Sequence, residues 1–185
     1  MHTVRPNPSI ERTASRCRSC QTLGNLRPLS HHARTEIGMS TTVALPPHAQ
    51  SLLGQWRLLT MEIENQTTGT RTALLGMNPK GRLLLLPSAT MMTVITSRDR
   101  TQPTTSDERA GAYSSVIAYT GRFTVEGDRL TTAVDVSWNE GWVHAPQVRT
   151  FRFVGTKLEL TSAWAPNPFE QGSIGRGIML WEREE

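Results

Sequence analysis

Arg149 and Glu62 are charged residues on strand faces that otherwise read as apolar. Arg149 has the alternation parity of Phe151 and Phe153, and Glu62 has that of Trp56, Leu58 and Thr60. Side chains two apart in a strand face the same side, so both charges are predicted to point inward. A charge buried without a partner is costly and needs a mate, water or a ligand. The two residues therefore read as an internal ion pair, as a polar anchor in a greasy cavity, or as structural groups at a wet rim. A second cluster lies in the segment Trp138–Pro146, where Trp138, Trp142 and His144 crowd a connection between strands. Exposed aromatics are expensive unless they cover something. They either line a ligand pocket or plug one end of a core, with His144 left at the surface.

Catalytic patterns are scarce. No Ser, His and acid fall in a recognisable frame. Beyond residue 38 there is no Cys, and the only histidines are His48 and His144. Paired acid–base carboxylates would need a second inward acid beside Glu62, and parity offers none. The glycine-rich run Gly172–Gly177 leads into a strand, not into the helix N-terminus that a phosphate loop requires. Cys17-x-x-Cys20 followed by His31-His32 could supply four zinc ligands, but zinc fingers space their histidines by three to five residues. The expectation is no metal and no cofactor.

The elements that must position these residues are short strands punctuated by turn residues, over 53–64, 71–76, 82–87, 90–97, 119–126, 129–138, 147–154, 157–162 and 176–183. Hairpin chemistry marks Asn78–Gly81, Glu126–Asp128 and Val154–Lys157. Thr105–Glu108 forms a capping box, and Ala110, Tyr113 and Ile117 then recur on one helical face. Alternation places Tyr119, Gly121, Phe123 and Val125 inward. It likewise assigns Val134, Val136 and Trp138 to one inner set and Met92, Val94 and Thr96 to another.

Gly54-Gln55-Trp56 opens the first strand and Trp181-Glu182-Arg183 closes the last. In a sheet closed on itself these strands are neighbours, and a guanidinium from one can cover the indole of the other. Together with Ala118–Phe123 and Ser137–Arg149, these blocks resemble, in order and spacing, the short lipocalin-like domain proteins of bacteria and fungi over residues 52–183. The resemblance implies an all-β, antiparallel up-and-down barrel with one short helix and an interior for one small ligand. The chain departs from the family at Asn139-Glu140-Gly141-Trp142, at His144, and at Thr131 and Thr132, where histidines are frequent.

Composition is ordinary for one globular domain. The formal charge is +4, yet residues 1–38 hold six Arg and two Glu. The remainder is balanced, without the basic surplus of a nucleic-acid-binding face. Residues 1–38 read as a disordered or read-through tract, 39–51 as a linker and 52–185 as the barrel. Pro6–Arg12 resembles a peptide translated from bacterial repeat DNA upstream of a gene, such as an integron cassette boundary, which implies a natural start at Met39. A tract folding over the barrel mouth as a lid is the alternative. No apolar run reaches membrane-span length, and no secretory signal is evident. These features point to a cytoplasmic monomer or homodimer without nucleic-acid or membrane partners.

The expected function is binding of a small, mostly apolar molecule through Glu62, Met92, Tyr119, Phe123, Trp138, Trp142, Arg149 and Phe151. The alternatives are an isomerase or cyclase that uses the cavity, and an interaction protein with a solid core.

Overall fold

The computed structural model describes residues 45–167 and 170–184. Ten strands form in chain order: β1 (Gly54–Asn65), β2 (Arg71–Ala73), β3 (Lys80–Leu85), β4 (Thr90–Thr96), β5 (Val116–Glu126), β6 (Arg129–Ser137), β7 (Pro146–Val154), β8 (Lys157–Ser162), β9 (Ala165–Pro166) and β10 (Ile174–Glu184). All pairings are antiparallel and follow the order β1-β3-β4-β5-β6-β7-β8-β10, after which β10 returns to β1 and closes the ring. The result is the expected up-and-down barrel of eight strands, with β2 and β9 as short flanks. Only β9 escaped the reading of the sequence. It is two residues long, contains Pro166, and pairs with just Ile174 and Gly175.

Closure takes the form the two terminal motifs imply. Trp56 and Arg183 are register partners, and the guanidinium carbon lies 4.3 Å from the indole centroid. Arg183 also donates to the carbonyls of Leu53, at 2.7 Å, and Ser51. The fully buried Trp56 donates its indole N–H to Leu52 O at 2.9 Å. Gly54 sits at φ +130°, and a β-carbon there would lie 2.6 Å from Arg183 Nη1. The positive φ favours glycine here, and a larger residue would also have to displace the guanidinium. Pro47–Leu52, of which residues 47–51 read as linker, forms a 3-10 turn that buries Ala49 and Leu52 at this end of the barrel.

Two β-bulges redirect the alternation. In β1, Leu58 pairs with Trp181 and Thr60 with Leu180, which leaves Leu59 as an extra residue. Every side chain beyond that point changes face. Met61 and Ile63 therefore turn inward and Glu62 turns outward. In β6, Val136 pairs with Thr120 and Val134 with Gly121, which leaves Asp135 extra. Val134 stays buried, but Val136 is 63% exposed. The single inner face expected for Val134, Val136 and Trp138 is thus broken. Gly121 faces this bulge so closely that a β-carbon would lie 2.0 Å from Ala133 O.

The assignment of β4 is also corrected. Met91, Thr93 and Ile95 are buried, while Met92 and Val94 are exposed. Both faces of Met91–Thr96 are apolar enough to be inner, so alternation alone is undecided. Pairing decides it, because Thr93 stands between the buried Leu83 of β3 and the buried Tyr119 of β5.

The helix α1 (Ser106–Ser114) carries the predicted capping box in full. It ends sooner than the spacing implied, and Ile117 belongs to β5. None of its residues is buried. The expectations for residues 1–38, including Cys17, Cys20, His31, His32 and the start at Met39, fall outside the described residues.

Candidate functional site

The antiparallel order brings the Asn65 end of β1, the β2–β3 connection, the end of α1, the 138–146 connection and residues 162–166 to one end of the barrel. A cavity of about 660 Å³ opens there, within the range of small-molecule sites. Its apolar wall includes Met61 and Ile63 of β1, Met91 and Ile95 of β4, Leu160 of β8 and Met179 of β10. The opposite half of the interior is solid, filled by buried residues that include Trp56, Leu85, Phe123, Leu130, Phe151 and Leu158.

The expected site residues divide three ways. Tyr119, Trp138, Trp142 and Arg149 line the cavity together. Phe123 and Phe151 point inward, as expected, but belong to the solid core and do not border the cavity. Met92 and Glu62 are on the outside. Met92 is 48% exposed, and Glu62 lies 4.0 Å from Arg71 as half-exposed partners. The Leu59 bulge is the physical reason for Glu62, and the two-faced sequence of β4 is the reason for Met92.

The three rings form a continuous aromatic wall. Trp138 and Trp142 meet edge to face with centroids 4.8 Å apart. Tyr119 and Trp142 do the same at 5.5 Å, a geometry that aligns ring edge with ring face. The 3-10 turn Glu140–Trp142 holds the segment, capped by Asn139 Oδ1 accepting from Gly141 N at 3.0 Å. Tyr113 on α1 donates its hydroxyl to Trp138 O at 2.9 Å and ties the helix to this wall. His144 is exposed at φ +64° and does not line the cavity.

Arg149 projects into the cavity from β7. Its Nη1 donates to its neighbour's carbonyl, Val148 O, at 2.8 Å, and its Nη2 to Gln147 Oε1 at 3.1 Å. Both acceptors are neutral. Arg149 Nε and Trp138 Nε1 are fully buried donors with no hydrogen-bond partner. No carboxylate is among the described residues lining the cavity. Burial pushes the Tyr119 hydroxyl up from its ordinary value, and the opposing pull of nearby Arg149 is smaller. The phenol is therefore neutral at physiological pH.

Among the lining residues missed from the sequence are those that follow the β1 bulge and the β4 ambiguity, together with Leu160 and Met179. Met61 and Ile63 carry the wrong parity once Glu62 is taken as inward, and Met91 and Ile95 were masked by Met92 and Val94. Gln147 was also missed. It shares the parity of Arg149, a usable signal for the residue that holds the guanidinium.

A rim network stands beside the cavity mouth. Glu64 bonds Arg176 at 2.5 Å and Arg71 at 3.1 Å. The hydrogen bond from Arg176 holds its carboxyl below the ordinary range. Arg176 in turn lies 4.4 Å over the Trp164 ring. Among the described residues no group of three or more His, Cys, Asp or Glu could hold a metal ion, and no helix is long and apolar enough to cross a membrane.

A lipocalin-like domain profile matches residues 53–184. Among solved structures the chain is similar to a lipocalin-like protein from Bacteroides uniformis, at 10% identity over 72% of this chain and 99% of that one, with a TM-score of 0.40. It is also similar to Rv2717c from M. tuberculosis, at 12% identity over 77% of this chain and 100% of that one, with a TM-score of 0.36. No curated protein matches the chain.

Proposed function

Because this chain belongs to the lipocalin-like domain family, we propose that its barrel binds one small, mostly apolar molecule and acts as a carrier or receptor, not as a catalyst. The observation that carries this reading is the cavity of about 660 Å³ at one end of an otherwise filled interior. A barrel of eight strands has room for one small ligand at most. The aromatic wall of Tyr119, Trp138 and Trp142 supplies a flat apolar surface, and Arg149 supplies one directional polar contact. That combination suits a ligand with an apolar body and a polar end.

Two other readings lose support. A solid-cored interaction protein would have no use for an interior space of this size. An isomerase or cyclase would draw its acid or base from Glu62, Tyr119 or Arg149, and Glu62, the one carboxylate of the three, faces outward against Arg71. Tyr119 and Arg149 remain as a neutral phenol beside a cation, which can orient an oxygen but offers no base at neutral pH.

Native mass spectrometry of the protein as purified from cells tests the proposal. The expected spectrum contains a species heavier than the bare chain by the mass of one small molecule, lost on organic extraction. In parallel, apolar ligands added to the extracted protein are expected to change the emission of Trp138 and Trp142, and Glu62→Gln is expected to leave that response unchanged. A bare mass, together with no emission response to any ligand, would overturn the binding role.

A further inference from the structure

We infer that the ligand of this cavity is an organic anion, an apolar carboxylic acid held as its carboxylate by Arg149 and Trp138. The inference rests on the binding role proposed above and narrows it to one chemical class.

Charge balance is the first argument. Arg149 brings a positive charge into a largely apolar space, and its protein contacts, Val148 O, Gln147 Oε1 and the Tyr119 hydroxyl, are all neutral. The acid that alternation placed inside with it is outside, because the Leu59 bulge turns Glu62 to the barrel exterior. No other carboxylate among the described residues borders the cavity. A cation withdrawn from water without a counter-ion is unfavourable, and a bound anion removes that penalty.

The hydrogen-bond inventory is the second argument, and it is independent of charge. The two buried polar atoms left without partners on this wall, Arg149 Nε and Trp138 Nε1, are both donors. The cavity hydroxyls are already engaged: Thr93 donates to Arg82 O, Ser114 to Ala110 O and Ser162 to Ala163 O, and the Tyr119 hydroxyl is taken up by Arg149. What Arg149 Nε and Trp138 Nε1 lack is an acceptor. A carboxylate presents two oxygens with several lone pairs and matches the planar edge of a guanidinium. An alcohol would bring a donor into a site already rich in donors, and an amine would meet Arg149 with like charge.

The aromatic wall fixes the rest of the molecule. Tyr119, Trp138 and Trp142 lie on the same cavity surface as the guanidinium. The acid group is therefore carried on an apolar body lying along the rings and reaching toward Met61 and Ile95.

Matched ligands separate this inference from the broader one. Isothermal titration calorimetry of the full chain would compare dodecanoic acid with methyl dodecanoate and 1-dodecanol, and 3-phenylpropanoic acid with its methyl ester. Each acid is expected to bind roughly tenfold to a hundredfold more tightly than its uncharged partner, the margin of a charge-assisted hydrogen bond in a buried site. Arg149→Met, which keeps most of the volume, is expected to bring acid and ester to equal affinity, whereas Arg149→Lys keeps part of the difference. Trp138→Phe removes one donor with little change of shape and is expected to reduce the acid preference severalfold. It supplies a second variant if Arg149→Met fails to fold. Esters and alcohol binding wild type as tightly as the acids would overturn the anion inference while leaving the binding role standing. No heat and no affinity for any of the compounds would overturn both.

Discussion

At the scale of single residues, the contact that closes the barrel is also its most exacting. Trp56 is sealed from water, donates its N–H to Leu52 O, and is covered on one face by Arg183. Phe153 tilts toward it with centroids 6.3 Å apart. Trp56→Ala is expected to cost about 3–5 kcal/mol through lost transfer energy and the cavity left behind. Arg183→Ala removes the cover and two bonds to the carbonyls of Leu53 and Ser51, and is expected to cost less. Because the indole and guanidinium touch, the double variant should lose less than the sum of the single losses, by about 0.5–2 kcal/mol. Denaturant unfolding of the four proteins measures that difference. Simple additivity would mean that the contact contributes nothing, and closure would then rest on strand pairing alone.

At the scale of elements, the sequence displayed what is local and hid what depends on neighbours. Nine strands, the hairpins at Glu126–Asp128 and Val154–Lys157 and the helix cap follow from short-range chemistry and stand close to their expected places. Asn78–Gly81, by contrast, reads as a hairpin but joins β2 to β3, which both pair with β1 and not with each other. The inward faces did not follow as well. Alternation carries through an undisturbed strand such as β5, where Tyr119, Phe123 and Val125 are all buried as expected. It fails past Leu59 and Asp135, because a bulge is defined by the pairing of two strands and Leu59 looks like any other strand residue. Four of the eight expected site residues line the cavity, and the bulge accounts directly for losing Glu62 while gaining Met61 and Ile63. The helix offers a prediction at this scale. Glu108 accepts from the backbone of Thr104 and Thr105, at 2.7 and 3.0 Å, and from the Thr104 hydroxyl. These bonds favour the carboxylate and lower its pKa from 4.5 to about 2. Since the folded value is the depressed one, the support given by the cap is present above the ordinary carboxyl range. It is lost as pH falls from about 4.5 through about 2. Carbon-detected NMR titration should place the Glu108 midpoint near the lower figure. Amide exchange in Ser106–Ser114 should quicken over that interval, ahead of the barrel strands, because no residue of the helix is buried. An ordinary midpoint for Glu108 would remove the capping argument.

At the scale of the whole molecule, the governing fact is that the ring closes. β10 pairs with β1 along ten register positions, from Gln55 with Glu184 to Asn65 with Gly175, and with β8 on its other side. It therefore satisfies two rows of backbone groups at once and carries Met179 and Trp181 into the interior. Removing it would leave β1 and β8 as long unpaired edges beside an opened core, the arrangement that promotes aggregation. Residues 54–184 close the ring by themselves, and the cavity is walled within the same span. Two truncations should therefore behave oppositely. Deleting residues 174–185 is expected to abolish cooperative unfolding and yield insoluble protein. Deleting residues 1–38 is expected to leave the melting temperature within about 2 °C of the full chain, a shift of at most about 1 kcal/mol for a domain of this size, and to leave ligand affinity unchanged. Calorimetric melting and ligand titration of the shortened chain decide the second point. A loss of several degrees, or a change in affinity, would mean that the N-terminal tract contributes to the folded domain or to access to its cavity. The autonomy of the closed ring would then have to be given up.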